Sequence, residues 1–113
     1  MTNNVATMNR DLITLNEVLN NGHSIYFYQE ELTGMWMTYG NSAYLLSQTD
    51  GLHTLSGYSE KMQMPYVCIT NADFRKIASE HAKLMECRNG VYHLTASLGV
   101  DTDGYQHWTE SLK

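Results

Sequence analysis

Between Tyr26 and Tyr44 the chain carries six of its twelve aromatic residues, in two alternating runs about the segment Glu31-Leu32-Thr33-Gly34. A period of two over runs this short predicts a β-hairpin rather than a helix. Ile25 and Phe27 point to one face and Tyr26 and Tyr28 to the other. In the second run Met35, Met37 and Tyr39 separate in the same way from Trp36 and Thr38. One face must be core. The other still presents rings with apolar bodies and polar tips, which suit a recognition surface. Alternation alone does not say which face the helices cover. The candidate partner-binding residues are therefore drawn from both faces: Tyr26, Tyr28, Trp36 and Tyr39.

With 113 residues the chain fits a single domain spanning 1–113. A domain of this size hides roughly two-thirds of its unfolded surface, enough for a core without staples. Its net charge of -5 repels phosphate backbones, which argues against nucleic acid as a partner. Charged residues make up only 17%, against about 25% in typical domains, so copies of the chain repel one another weakly and a homodimer is compatible with the composition. No run approaches the ~20 apolar residues of a membrane span, and the N-terminus lacks a signal-peptide pattern. The expectation is a cytoplasmic protein with no membrane contact and two free thiols, Cys68 and Cys87.

Thr14-Leu15-Asn16-Glu17 has the capping-box spacing and predicts a short helix with Leu15, Val18 and Leu19 inward, after a loose arm over residues 1–9. Asn20-Asn21-Gly22 ends it. After the hairpin, Gly40-Asn41-Ser42 predicts a break and a cap for a second short helix carrying Ala43 and Leu46. Asp50 to Lys61 reads as the longest flexible loop. Met62-Gln63-Met64 and Tyr66 to Ile69 read as a strand interrupted by Pro65. Thr70-Asn71-Ala72-Asp73 opens the clearest helix, with Phe74, Ile77, Ala78, His81, Leu84 and Met85 on one face and a stop at Asn89-Gly90. Val91 to Ser97 and Tyr105 to Thr109 read as strands. The helix between two strands suggests that those strands are parallel neighbours or near neighbours. The predicted fold is a single small α+β domain with a mixed, mostly antiparallel sheet, helices mainly on one face, and the order α-β-β-α-β-α-β-β.

Sites with a chemical signature are sparse. Asp101-Thr102-Asp103-Gly104 with Glu110 matches part of a calcium loop, but Gly99 stands where the first aspartate belongs, and a plain Asp-Gly turn is the simpler reading. The five histidines, His23, His53, His81, His93 and His107, form no i, i+4 pair and no Cys/His cluster, so no metal site and no cofactor is assigned. His81 and His93 read as core-edge histidines. Cys68 precedes a helix N-terminus but lies in an apolar strand, which favours a structural thiol. The methionines Met35, Met37, Met62 and Met64 read as core filling rather than an adaptable binding surface.

These observations favour a non-catalytic interaction module that contacts a protein partner or itself through the aromatic hairpin. The alternative is a small-molecule site or enzyme with a pocket beside the 50–61 loop, using His53, Tyr58 and Glu60.

Overall fold

The computed structural model describes residues 10–20, 24–49, 52, 54–88, 91–95 and 100–113. The arm expected over 1–9, the stop at Asn21-Gly22, the turn at Asn89-Gly90, and His23 and His53 lie outside them. Along the chain run α1 (Arg10–Leu19), β1 (Ser24–Gln29), β2 (Trp36–Tyr39), α2 (Gly40–Ser47), β3 (Thr54–Ser59) and β4 (Met64–Ile69). There follow α3 (Asn71–Glu80), a single 3-10 turn at Ala82–Leu84, β5 (Met85–Arg88), β6 (Val91–Thr95) and α4 (Thr102–Leu112). The chain is an α+β domain, as its patterning predicts.

The six described strands form one sheet in the order β3-β4-β2-β1-β6-β5, and every neighbouring pair is antiparallel. The aromatic hairpin β1–β2 lies at its centre. Its turn is closed by Glu30 N–H to Met35 O at 2.8 Å and Gly34 N–H to Glu30 O at 2.8 Å. Gly34 has φ +75°, a conformation that costs glycine little, and Leu32 stands exposed at the tip. On one side of the sheet Ile25, Phe27, Trp36, Val67, Ile69 and Leu94 meet Ala43, Leu45 and Leu46 of α2 and Phe74 and Ile77 of α3. Trp108 of α4 packs against the same cluster. Among the described helices only α1 lies on the other side, where Ile13 packs with Tyr28 and Val91.

Four sequence expectations give way here. The parallel relation does not form: β4 and β6 are separated by β2 and β1, and three successive antiparallel pairings leave them running in opposite directions, while β5 pairs back onto the outer edge of β6 with Met85 opposite Leu94 and Arg88 opposite Val91. That pairing also shortens the long helix. It ends at Glu80, leaves Leu84 half exposed, and places Met85 in a strand. The loop expected over 50–61 contains edge strand β3, whose Thr54, Leu55 and Ser56 are all exposed, so no apolar alternation announces it. Residues 105–109 are helical. In α4, Gly104, Tyr105, Trp108, Thr109 and Leu112 share the half-buried side, a 3.6-residue spacing, and the Asp103-Gly104 pair sits in its first turn rather than in a hairpin.

The first helix departs most. Instead of starting at Thr14 it is already helical at Arg10, and its buried residues are Ile13 and Glu17. Leu15, Val18 and Leu19 are 54%, 73% and 66% exposed.

Candidate functional site

The side of the sheet that carries α1 is crossed by two rows of side chains set by strand register. One runs Gly57, Tyr66, Tyr39, Tyr26, His93, Glu86, and the next Leu55, Cys68, Met37, Tyr28, Val91, Arg88. Residues paired across strands contact one another directly. Tyr26 stacks on its partner His93 with centroids 5.1 Å apart, and Tyr28 meets its diagonal neighbour Tyr39 at 6.2 Å. Tyr26, Tyr39, Tyr66 and His93 are half-buried, whereas Leu55 is 64% exposed.

The four predicted hairpin residues are thus divided. Tyr26 and Tyr39 lie on this side beside α1. Tyr28 shares the side but is fully buried beneath Ile13. Its hydroxyl accepts a hydrogen bond from Asn16 Nδ2 at 2.9 Å, and burial pushes its ionisation well above the usual tyrosine range. Trp36 faces the opposite way into the main core, 5% exposed, stacked on Phe74 at 3.8 Å with Nε1 donating to Asn71 Oδ1 at 3.0 Å. Tyr28 and Trp36 are interior, so the surface expected from all four does not exist as one patch. Helices cover both faces of the hairpin at these two positions.

Neither Tyr58 nor Glu60 lines the clefts at Leu52, Tyr26, Glu17 or Asp103. Tyr58 is a half-buried strand residue with Lys113 Nζ 5.0 Å from its ring centroid, and Glu60 is exposed in the following turn. A cleft of about 270 Å³ does open beside Leu52, but its polar rim is Thr49, Lys76, Glu80 and His81 over an apolar floor. The four methionines are all half-buried, and Met37 pairs with Cys68 rather than with Met62 or Met64. Cys68 is buried and Cys87 exposed, both as free thiols.

The most ordered polar feature is one that sequence patterning assigned elsewhere. α2 begins at Gly40 directly after β2, with Tyr39 at its N-cap position and no side-chain cap of its own. Glu17 of α1 supplies that cap from across the molecule. Its Oε1 accepts the Ser42 N–H at 3.1 Å, and its Oε2 accepts the Ser42 hydroxyl at 2.6 Å. Ser42 Oγ in turn accepts the Tyr26 N–H at 2.9 Å, and Asn20 Nδ2 bonds the Ser24 carbonyl at 2.8 Å. The chain Glu17, Ser42, Tyr26 ties α1 to α2 and β1 through groups that would otherwise be orphaned at a helix start.

Glu17 is 7% exposed and makes no ion pair with any described residue. Burial raises its carboxyl from 4.5 to about 7 against the opposing pull of its hydrogen bonds to Ser42, Asn20 and Asn41. The sequence signal for this role was present in two places. Glu17 follows Ile13 by one helical turn, and the residue before Gly40 is a tyrosine, a poor cap.

Among the described residues no three His, Cys, Asp or Glu side chains converge as a metal site, and no helix is long and apolar enough to cross a membrane. Comparison with known protein families, with curated proteins and with solved structures finds no match to this chain.

Proposed function

We propose that the protein is a non-catalytic interaction module that pairs with a second copy of itself through the outward face of α1. The observation that carries this reading is the inverted polarity of that helix. Asn16, Glu17 and Asn20 turn toward the protein, while Leu15, Val18 and Leu19, spaced i, i+3, i+4, turn to solvent. An apolar stripe at helical spacing normally marks the buried side, and here it has no partner within the described chain. Leu55, at the far edge of the same side of the sheet, is also exposed.

Self-association suits this stripe better than a charged partner does. A C2 contact between two such helices is self-complementary, and few charges oppose it. Tyr26 and Tyr39, half-buried at the flanks of α1, keep a share in this reading; Tyr28 and Trp36 act through the core.

Light scattering over a concentration series tests it. Wild type should shift from monomer to dimer as concentration rises, and Leu15→Glu with Leu19→Glu should hold a folded monomer. A wild type that stays monomeric at every concentration sinks the self-association reading and leaves a different protein as the partner of the stripe.

A further inference from the structure

Beside the Glu17 clasp lies a cleft of about 360 Å³, bounded by Glu17, Val18, Gly40, Met62, Met64 and Tyr105. Its volume falls in the range of small-ligand sites. We propose that this cleft binds a small organic cation, a primary or methylated ammonium on a short apolar body, with Glu17 as its counter-charge.

Three features of the lining support that class of ligand. Among the described residues the carboxylate is the only charged group on it, and neither lysine nor arginine competes for it there. Glu17 Oε1 and Met64 Sδ each lie 3.2 Å from the point a Cβ would occupy on residue 40, so the glycine is what lets the carboxylate and the thioether close in together on the backbone at the cleft wall. The walls are thioethers and a tyrosine ring, polarisable surfaces that attract an ammonium while accommodating its alkyl part.

The rim is held rather than slack. In the turn before β4, Gln63 N–H bonds the Ser59 carbonyl at 2.7 Å and Met62 N–H bonds Ser59 Oγ at 3.1 Å. Gln63, which also lines the cleft, adopts φ 57°, a left-handed conformation uncommon for a residue with a side chain. Glu60 and Lys61 of the same turn are exposed and off the lining. Burial chiefly, and the Glu17 charge in smaller part, push the Tyr28 and Tyr105 hydroxyls above the usual tyrosine range. The chain's net charge of -5 adds a long-range attraction for cations and none for anions.

A bound ammonium supplies the counter-charge that the isolated site lacks. Binding therefore favours ionised Glu17, and affinity rises as the carboxyl loses its proton around neutrality.

The test is an NMR titration of the full chain with phenethylamine and with tetramethylammonium, using phenethyl alcohol as the uncharged control. The amine should bind saturably near about pH 8, at least about tenfold more tightly than the alcohol. Affinity should drop about tenfold by about pH 6, and the Glu17 carboxyl titration should move to lower pH in the complex. Glu17→Gln should lose about tenfold in amine affinity. Thr14→Lys, at an exposed lining position one turn before Glu17, should also weaken binding by tethering an ammonium at the site. Thr14→Lys decides the matter if Glu17→Gln does not fold. Failure of both cations to saturate at millimolar concentration overturns the proposal. So does equal binding of amine and alcohol, or an amine affinity untouched by substitution.

Discussion

Glu17 on α1 caps the N-terminus of α2 by accepting the Ser42 backbone N–H at 3.1 Å, across twenty-five positions of sequence. The bond replaces a local cap that Tyr39 does not provide. It also puts a carboxylate in a place where burial disfavours its charge, so the same contact both aligns two helices and makes their alignment sensitive to pH.

The sign of that sensitivity follows from the direction of the shift. The folded state holds the Glu17 proton up to about 7, the unfolded chain only to 4.5. Between those values the folded protein binds more protons, so this residue's contribution to stability is complete below about pH 4.5 and is lost as pH rises through 7. The change amounts to about 3 kcal/mol at most. Urea unfolding at several pH values should show wild type losing stability across this window more steeply than Glu17→Gln. Parallel pH profiles for the two proteins would contradict the assignment.

Glu17→Ala asks a different question from Glu17→Gln. It removes the acceptor and leaves the Ser42 N–H and hydroxyl buried without it, which costs roughly 1–3 kcal/mol per orphaned group. Glutamine keeps one acceptor oxygen in place. The alanine variant should therefore melt below the glutamine variant at about pH 5, where the wild-type carboxyl is protonated, and circular dichroism melts of the two would show it. An equal loss in both would mean that the hydrogen bonds to Ser42 contribute little.

Trp36 is a core residue, and its truncation should act on stability rather than on association. It stacks on Phe74 at 3.8 Å, meets Tyr92 edge-on at 5.4 Å and bonds Asn71. Trp36→Ala should cost about 3–5 kcal/mol. Trp36→Phe keeps most of the packing and loses only the bond to Asn71, so it should cost distinctly less. Chemical denaturation distinguishes the two, and a fully stable Trp36→Ala would place that ring outside the core.

Residue patterning carried the central hairpin, the α+β class and the strand at Tyr66 to Ile69, because alternation marks the hairpin and a short apolar run marks β4. It failed where burial does not follow hydrophobicity. Strand β3 is an edge with exposed Thr54, Leu55 and Ser56, and its pairing partner β4 supplies the order that its own sequence lacks. In α1 the apolar residues Leu15, Val18 and Leu19 formed the stronger stripe, yet the helix turns Glu17 inward because α2 needs a cap. Only the tertiary arrangement reveals that need. Tyr26 and Tyr39 were each legible as candidates, but the register between the two runs was not; that they share a side, and that Tyr66 and His93 join their row, follows only from the strand pairing.

Gly57 tests that row. A Cβ there would lie 2.6 Å from the Tyr66 hydroxyl oxygen and 2.7 Å from its Cζ, so the Tyr66 ring lies across the glycine toward the sheet edge. On an ordinary strand position, alanine in place of glycine gains stability by restricting the unfolded chain. Here the ring must swing off its seat, and the strain is of order 1–3 kcal/mol. Gly57→Ala should therefore be destabilised, while Gly57→Ala combined with Tyr66→Ala should recover part of the loss relative to Tyr66→Ala alone. Additive effects in that double-mutant cycle would show that the two residues do not touch in solution.

The two thiols should behave oppositely. Cys68 sits in β4 opposite Leu55 of β3, 7% exposed, and burial pushes its thiol above the usual range. The thiolate is the reactive form, so Cys68 is protected twice, by access and by ionisation. Cys87 is exposed on edge strand β5. A disulfide-exchange reagent at about pH 8 should modify one thiol per chain quickly, and Cys87→Ser should abolish that fast phase. Modification of the second thiol should appear only with urea, at the concentration where the sheet unfolds. A fast reaction at Cys68 in the native protein would mean that β3 detaches from β4 well below global unfolding.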